Sequence, residues 1–229
     1  MPTRKHSSRS KTKYTKKLKK TPNQKPIIIH IEGVQGSGKS YICSKIVSNK
    51  CLCIDIDDMD LELKNYLDSL VGTPNEMPLN FDSLGKVWKN KLEEKIALEY
   101  NAGKKVIVIV GVKRIYMKNT ALDNAKYKYF IKLNNLKSIY RRVFTRETDK
   151  ILNNGAKIKA IINDPKIDEE EIDDKIYRLT NLALPYPFDY EGYENNYKRE
   201  LDKAKKAKYN ILTQEKIIAT IQKIISNCK

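Results

Sequence analysis

Ile27-Ile28-Ile29-His30-Ile31, followed after Glu32 by Gly33-Val34-Gln35-Gly36-Ser37-Gly38-Lys39-Ser40, decides how the rest of the chain is read. The isoleucine run is short, β-branched and apolar at almost every position, which fits a strand buried on both faces of a parallel sheet. The eight residues from Gly33 to Ser40 satisfy the pattern GxxxxGK[ST] in full, and Lys39 to about Asn49 then fits a helix. Strand, glycine-rich turn and helix in that order have a physical use. Glycines let the backbone curl so that successive N–H groups point inward at an anion, and the helix N-terminus adds the positive end of its dipole.

Working outward, Cys51 to Ile56 is a second apolar run, closed by Asp55, Asp57 and Asp58. Leu61 to Leu70 and Phe81 to Tyr100 carry helical patterning, separated by a loop with Gly72, Pro74 and Pro78 and ending at Gly103. Lys105 to Val110 is a clear strand, and Tyr127 to Leu133 is another. A helix from Leu136 to Leu152 bears Arg141, Arg142 and Arg146, and Lys208 to Leu212 leads into an amphipathic helix from Gln214 to Ser226. Strands alternating with helices predict an α/β fold, a three-layer αβα sandwich around a parallel sheet of about five strands, with right-handed crossovers and the site at the strands' carboxyl ends.

The chain of 229 residues suits one domain with appendages. Residues 1–25 read as a basic, disordered N-terminal arm, because the first 26 residues hold ten Lys or Arg and no acid. Subtracting that ten from the net charge of +17 leaves +7 for the body, residues 26–229. Such an arm is suited to non-specific attraction to nucleic acid, or to solubilising the chain or addressing it within the cell. Residues 154–204, with an acidic run from Asp168 to Asp174 and a tyrosine-rich stretch from Tyr186 to Tyr197, read as an insertion, partly helical from Ile172 to Leu184. No stretch has the roughly 20 apolar residues of a membrane span and the basic start lacks a signal peptide's apolar core, so a soluble, intracellular protein is expected. Cys43, Cys51, Cys53 and Cys228 have no paired spacing, and with only His6 and His30 they argue against structural zinc and against a disulfide framework. Cys51 and Cys53 are expected on one face of their strand.

The residues Ile31-Glu32-Gly33 and Gly36-Ser37-Gly38-Lys39-Ser40 resemble the P-loops of deoxyribonucleoside and thymidylate kinases. With the Cys51–Asp58 segment, the Val106–Gly111 strand and the arginine-bearing helix, the body looks like small P-loop kinase-like proteins encoded by large DNA viruses, over about residues 27 to 152. The resemblance implies a sheet of P-loop nucleotide-kinase type, ATP and Mg2+ as cofactors, a small nucleoside or nucleotide as acceptor, and host cytoplasm or virion as location. Gly33, Gly36, Ser37, Gly38, Lys39 and Ser40 would hold the nucleotide, Lys39 reaching the β and γ phosphates and Ser40 the metal. Asp57 is expected as base or magnesium partner, with Asp55 sharing its strand face; the bland alternative is that Asp57, Asp58 or Asp60 caps the next helix. Arg142 and Arg146 lie on one helical face with Arg141 beside them, where the family carries a lid helix over residues 136–152; the alternative is a solvated face paired to Glu147 or Asp149. Arg114 stands where the family has an acid followed by arginine, but Val112 and Lys113 precede it, so the usual Walker B acid is missing. Tyr186, Phe188, Tyr190 and Tyr193 could stack on a base, though packing against the body is the simpler reading, as it is for Trp88. The alternatives to a nucleoside or nucleotide kinase are a polynucleotide 5′-hydroxyl kinase, and a catalytically degenerate nucleotide-binding module tethered by its basic arm.

Overall fold

The computed structural model describes residues 25–69, 81–167 and 189–228, together with the helical positions 172, 175, 176 and 179. The basic arm before residue 25, the loop at 70–80, most of the acidic run, and Tyr186 and Phe188 lie outside the described residues.

Five strands, β1 (Ile27–Glu32), β2 (Cys51–Asp55), β3 (Val106–Val110), β4 (Tyr127–Ile131) and β5 (Asn210–Leu212), form one sheet in the order β2-β3-β1-β4-β5. Every pairing is parallel, with Ile29 beside Val108 on one side of β1 and beside Tyr127 on the other. All five residues of β3 are buried, as expected of a strand covered on both faces. Helices α1 (Lys39–Ile46) and α6 (Gln214–Asn227) cover one face, packing Ile42, Ile46, Ile217 and Ile221 on Ile29, Ile31, Val108 and Ile131. On the other face α2 (Ile56–Asp68) and α3 (Phe81–Asn101) set Met59, Leu63, Trp88 and Leu92 against Ile54, Ile107 and Ile109. The three layers and the parallel sheet are those expected from the alternation of strands and helices. β1 lies at the centre, so the loop leaving its carboxyl end has elements on both sides.

Several expectations are corrected. β2 stops at Asp55, whose carboxylate accepts the backbone N–H of Asp57 at 3.0 Å and thereby caps α2. The cap is thus Asp55 rather than Asp57, Asp58 or Asp60, which all lie inside the helix, so Asp55 and Asp57 do not share a strand face. The arginine-bearing helix α4 (Leu136–Ile162) runs through Gly155 and past Leu152. The second half of the tyrosine-rich stretch is helix α5 (Tyr190–Lys206), capped by Asp189 through the N–H of Glu191.

Cys43 on α1 and Cys53 on β2 are joined by a disulfide, with Cα atoms 5.5 Å apart, whereas the sequence reading opposed one. Their separation of 10 residues carries no pairing signal; they meet because α1 folds back across the sheet onto β2. Cys51 and Cys53 do share a face, both packing in the α1 and α6 layer.

Candidate functional site

The loop after β1 turns through two left-handed positions, Gly36 at φ 74° and Gly38 at φ 90°, where a side chain would be strained. Space is closed there too. A Cβ on Gly36 would strike Val143 of α4, and one on Gly38 would strike the side-chain amide of Gln214 on α6. No side chain caps the first turn of α1, so its opening N–H groups have no capping partner. Lys39 folds back over the loop, donating from Nζ to the carbonyls of Gly33 at 2.8 Å and Val34 at 3.2 Å. Burial pushes its ammonium pKa down, while the charges of Asp57 and Asp55 push it up and those of Arg114 and Arg146 push it down. Lys39 therefore feels the charges of both candidate acids and of one arginine of α4. Ser40 is exposed on the first turn of α1, and Ser37 is buried.

Three side chains from elements distant in sequence, Tyr193, Glu147 and Gln214, brace this loop. Tyr193 of α5, fully buried among Val34, Ile139 and Val143, donates its hydroxyl to the carbonyl of Gln35 at 2.7 Å. Gln35 in turn donates at 3.0 Å to the carboxylate of Glu147, which is itself fully buried on α4. Gln214 donates to the carbonyl of Ser37 at 2.5 Å. Tyr193 is a packing residue, and Tyr190 packs edge-on to Tyr140 at 5.2 Å, in line with the simpler reading of the tyrosines. The stripe Tyr193, Tyr197, Leu201 and Ala204 has helical spacing, the one sign in the sequence that this stretch docks as a helix.

The arginines of α4 divide. Arg146 is held by Glu147, at 2.7 Å through Nε and 2.5 Å through a terminal nitrogen, and Lys150 meets the other oxygen of the same carboxylate at 2.7 Å. The ion pair to Glu147 named among the alternatives is thus present, but on a buried acid rather than a solvated face. Arg141 and Arg142 are exposed, and with Thr145, Arg146 and Asp149 they line an open cavity of about 360 Å³.

At the carboxyl edge of β2 and β3 a second cluster forms. Arg114 pairs with Asp57 at 2.9 Å and with Asp60 at 3.5 Å. Asp60 also accepts from the indole of Trp88 at 3.0 Å and the hydroxyl of Tyr116 at 2.9 Å. Trp88 is core, with its one polar atom satisfied. The Asp55 carboxyl is pushed up by burial, against the pull of the Asp57 amide and of Lys39. A third polar group lies beneath the loop: His30, fully buried, bonds the Gly111 carbonyl at 3.2 Å through Nε2 and the Tyr209 hydroxyl at 2.6 Å through Nδ1.

A parallel sheet in the order β2-β3-β1-β4-β5, with a GxxxxGKS loop between its first strand and first helix, is an α/β P-loop fold of nucleotide-kinase type. Among solved structures the chain is similar to thymidylate kinase from Candida albicans, at 12% identity and a TM-score of 0.34 over 88% of this chain and 92% of that one. It is also similar to thymidylate kinase from Ehrlichia chaffeensis, at 15% identity and a TM-score of 0.31 over 90% of this chain and 100% of that one. The fold assignment rests on strand order and loop, not on these overlaps. No family model matches the chain, and no curated protein does. Among the described residues, no helix is long and apolar enough to cross a membrane.

Proposed function

We propose that the chain is an ATP-dependent phosphotransferase acting on a small nucleoside or nucleotide. The observation that carries this reading is the complete phosphate-loop motif at the carboxyl end of the central strand, with Lys39 folded over it and feeling the charges of Asp55, Asp57 and Arg146. The donor set fits a magnesium nucleotide: an ammonium and uncapped helix amides for phosphate oxygens, and a serine hydroxyl with nearby carboxylates for a hard cation. When bound, Mg-ATP supplies the phosphoryl group and offsets its charge.

The chain's own residues do the rest. Lys39, with the N–H groups from Gly36 to Ser40, binds the β and γ phosphates, and Gly33 supplies a carbonyl that orients the Lys39 ammonium. Ser40 and Asp57 would hold the metal, Asp57 through water. Asp55, raised by burial, is suited to take the acceptor's hydroxyl proton, since a base works best when its pKa approaches the working pH. Arg146, Arg141 and Arg142 offset charge on the transferred group from the α4 side. The acid usual after the third strand is replaced by Gly111 and Val112, which leaves the β2 carboxylates to serve the metal.

The test is transfer of label from γ-labelled ATP to nucleosides, nucleoside monophosphates and 5′-hydroxyl oligonucleotides. Label on one acceptor class, lost in Lys39→Ala, is the expected result. ATP binding with no transfer to any acceptor would replace this reading with that of a nucleotide-binding module.

A further inference from the structure

The acids and cations at the carboxyl edge of β2 and β3 bear on what the acceptor is. A kinase whose acceptor already carries a phosphate must offset two further negative charges beside the one being transferred, and it does so with guanidinium or ammonium groups left open for them. Two cations, Lys113 and Arg114, follow directly after β3, and both are ion-paired. Lys113 is paired with Asp123. Arg114 is held from two sides, by Asp57 and by Asp60. Asp60 cannot readily swing away, because both of its oxygens are engaged: one accepts from Trp88 and Tyr116, and the other faces Arg114.

Charge counting points the same way. Asp55, Asp57, Asp58 and Asp60 all lie within six residues of the end of β2, and Arg114 is the guanidinium set against them. Arg146, assigned above to the donor side, is ion-paired to Glu147.

We infer that the acceptor is an uncharged hydroxyl compound of nucleoside type rather than a phosphorylated one, because Arg114, the guanidinium beside the candidate carboxylates at this edge, is held between Asp57 and Asp60. This rests on the phosphotransferase reading above. In the step, the acceptor oxygen forms a bond to the γ phosphorus as the bond to the β–γ bridging oxygen breaks. The electron pair leaves on ADP, and the hydroxyl proton passes to a β2 carboxylate and on to solvent. No further reactant is needed.

The experiment uses the full chain with γ-labelled ATP and two matched series, nucleosides and their 5′-monophosphates, with 5′-hydroxyl oligonucleotides alongside. Like charges brought together cost enough that kcat/KM for the favoured nucleoside should exceed that of its monophosphate by about 100-fold or more. In Asp60→Asn, which releases one side of Arg114, the gap should narrow by about tenfold through better use of the monophosphate; if that variant does not fold, the wild-type comparison alone decides. Equal or better transfer to monophosphates overturns the inference and leaves the kinase reading standing. Transfer to oligonucleotide ends but not to free nucleosides also overturns it. ATP binding with transfer to none of the three removes both the inference and the reading beneath it.

Discussion

Replacing Gly36 by alanine tests whether α4 and the phosphate loop are packed as one unit. Gly36 sits at φ 74°, where a side chain costs about 1–2 kcal/mol in backbone strain. Its new Cβ would also collide with Val143 and lie 3.3 Å from Ile139 Cγ2, an overpacking cost of about 1–3 kcal/mol. Gly36→Ala should therefore lose roughly 2–5 kcal/mol of unfolding free energy. Val143→Ala alone removes buried methyl groups from the Val34, Ile139 and Tyr193 cluster and should lose about 2 kcal/mol. In the double variant the shortened residue 143 makes room for the added methyl, so the collision disappears while the backbone strain remains. The double loss should fall short of the sum by about 1–3 kcal/mol. Urea unfolding of all four proteins, with a common m value, measures the cycle. Additivity within about 0.5 kcal/mol would show that Val143 does not close the space over Gly36 and would refute the packing argument.

Tyr193→Phe removes the hydroxyl that meets the Gln35 carbonyl at 2.7 Å and should cost about 1 kcal/mol in urea unfolding. It should also raise the apparent KM for ATP, because the loop loses a brace; an unchanged KM would confine Tyr193 to packing. His30 sets a pH dependence. Burial holds it near pKa 4 against 6.5 when free, so the unfolded chain takes up a proton below about pH 6.5 that the folded chain refuses until about pH 4. Its contribution is complete above that window and is lost as pH falls through it, by up to roughly 3 kcal/mol, with Glu32, pushed up by burial, opposing part of the loss. Thermal unfolding of wild type and His30→Gln between pH 7 and about 4 should give converging curves; parallel curves would mean His30 is not held neutral.

The sheet was legible because its strands are written in the residue types that buried parallel strands need. Ile27–Ile31 and Val106–Val110 admit few other readings, and the glycine spacing from Gly33 to Gly38 marks the turn between β1 and α1. Local signals also placed α3 and α6 within a residue or so of their ends. Contacts between residues distant in sequence were not legible. Arg114 and Asp57 are 57 positions apart, and nothing in either segment announces the pair on which the acceptor inference rests. Glu147 looked like a solvated neighbour of Arg146, because helical spacing gives a face but not the layer that face meets; burial came from Gln35 and the loop beneath it. α5 was missed for a related reason. Its tyrosines were weighed one by one as aromatic platforms, which hid the periodic stripe that seats the helix. The cysteine pair joins an element to its neighbour across a fold-back, a geometry that spacing along the chain does not encode.

The bracing of the loop by Tyr193 and Gln214 bears on the order in which a chain emerges during synthesis. Residues 33 to 40 leave the ribosome early, but the hydroxyl that holds Gln35 is 158 positions later and the amide that holds Ser37 is 177 positions later. A nascent chain that has emerged as far as α4 carries the whole motif and four of the five strands, yet lacks β5, one edge strand, and α6, which packs on the face that α1 covers. Because domains form as units once their chain is out, the braced shape of the loop arrives with the last helix rather than with the motif itself. Truncations from the carboxyl end should therefore silence the loop long before they reach it.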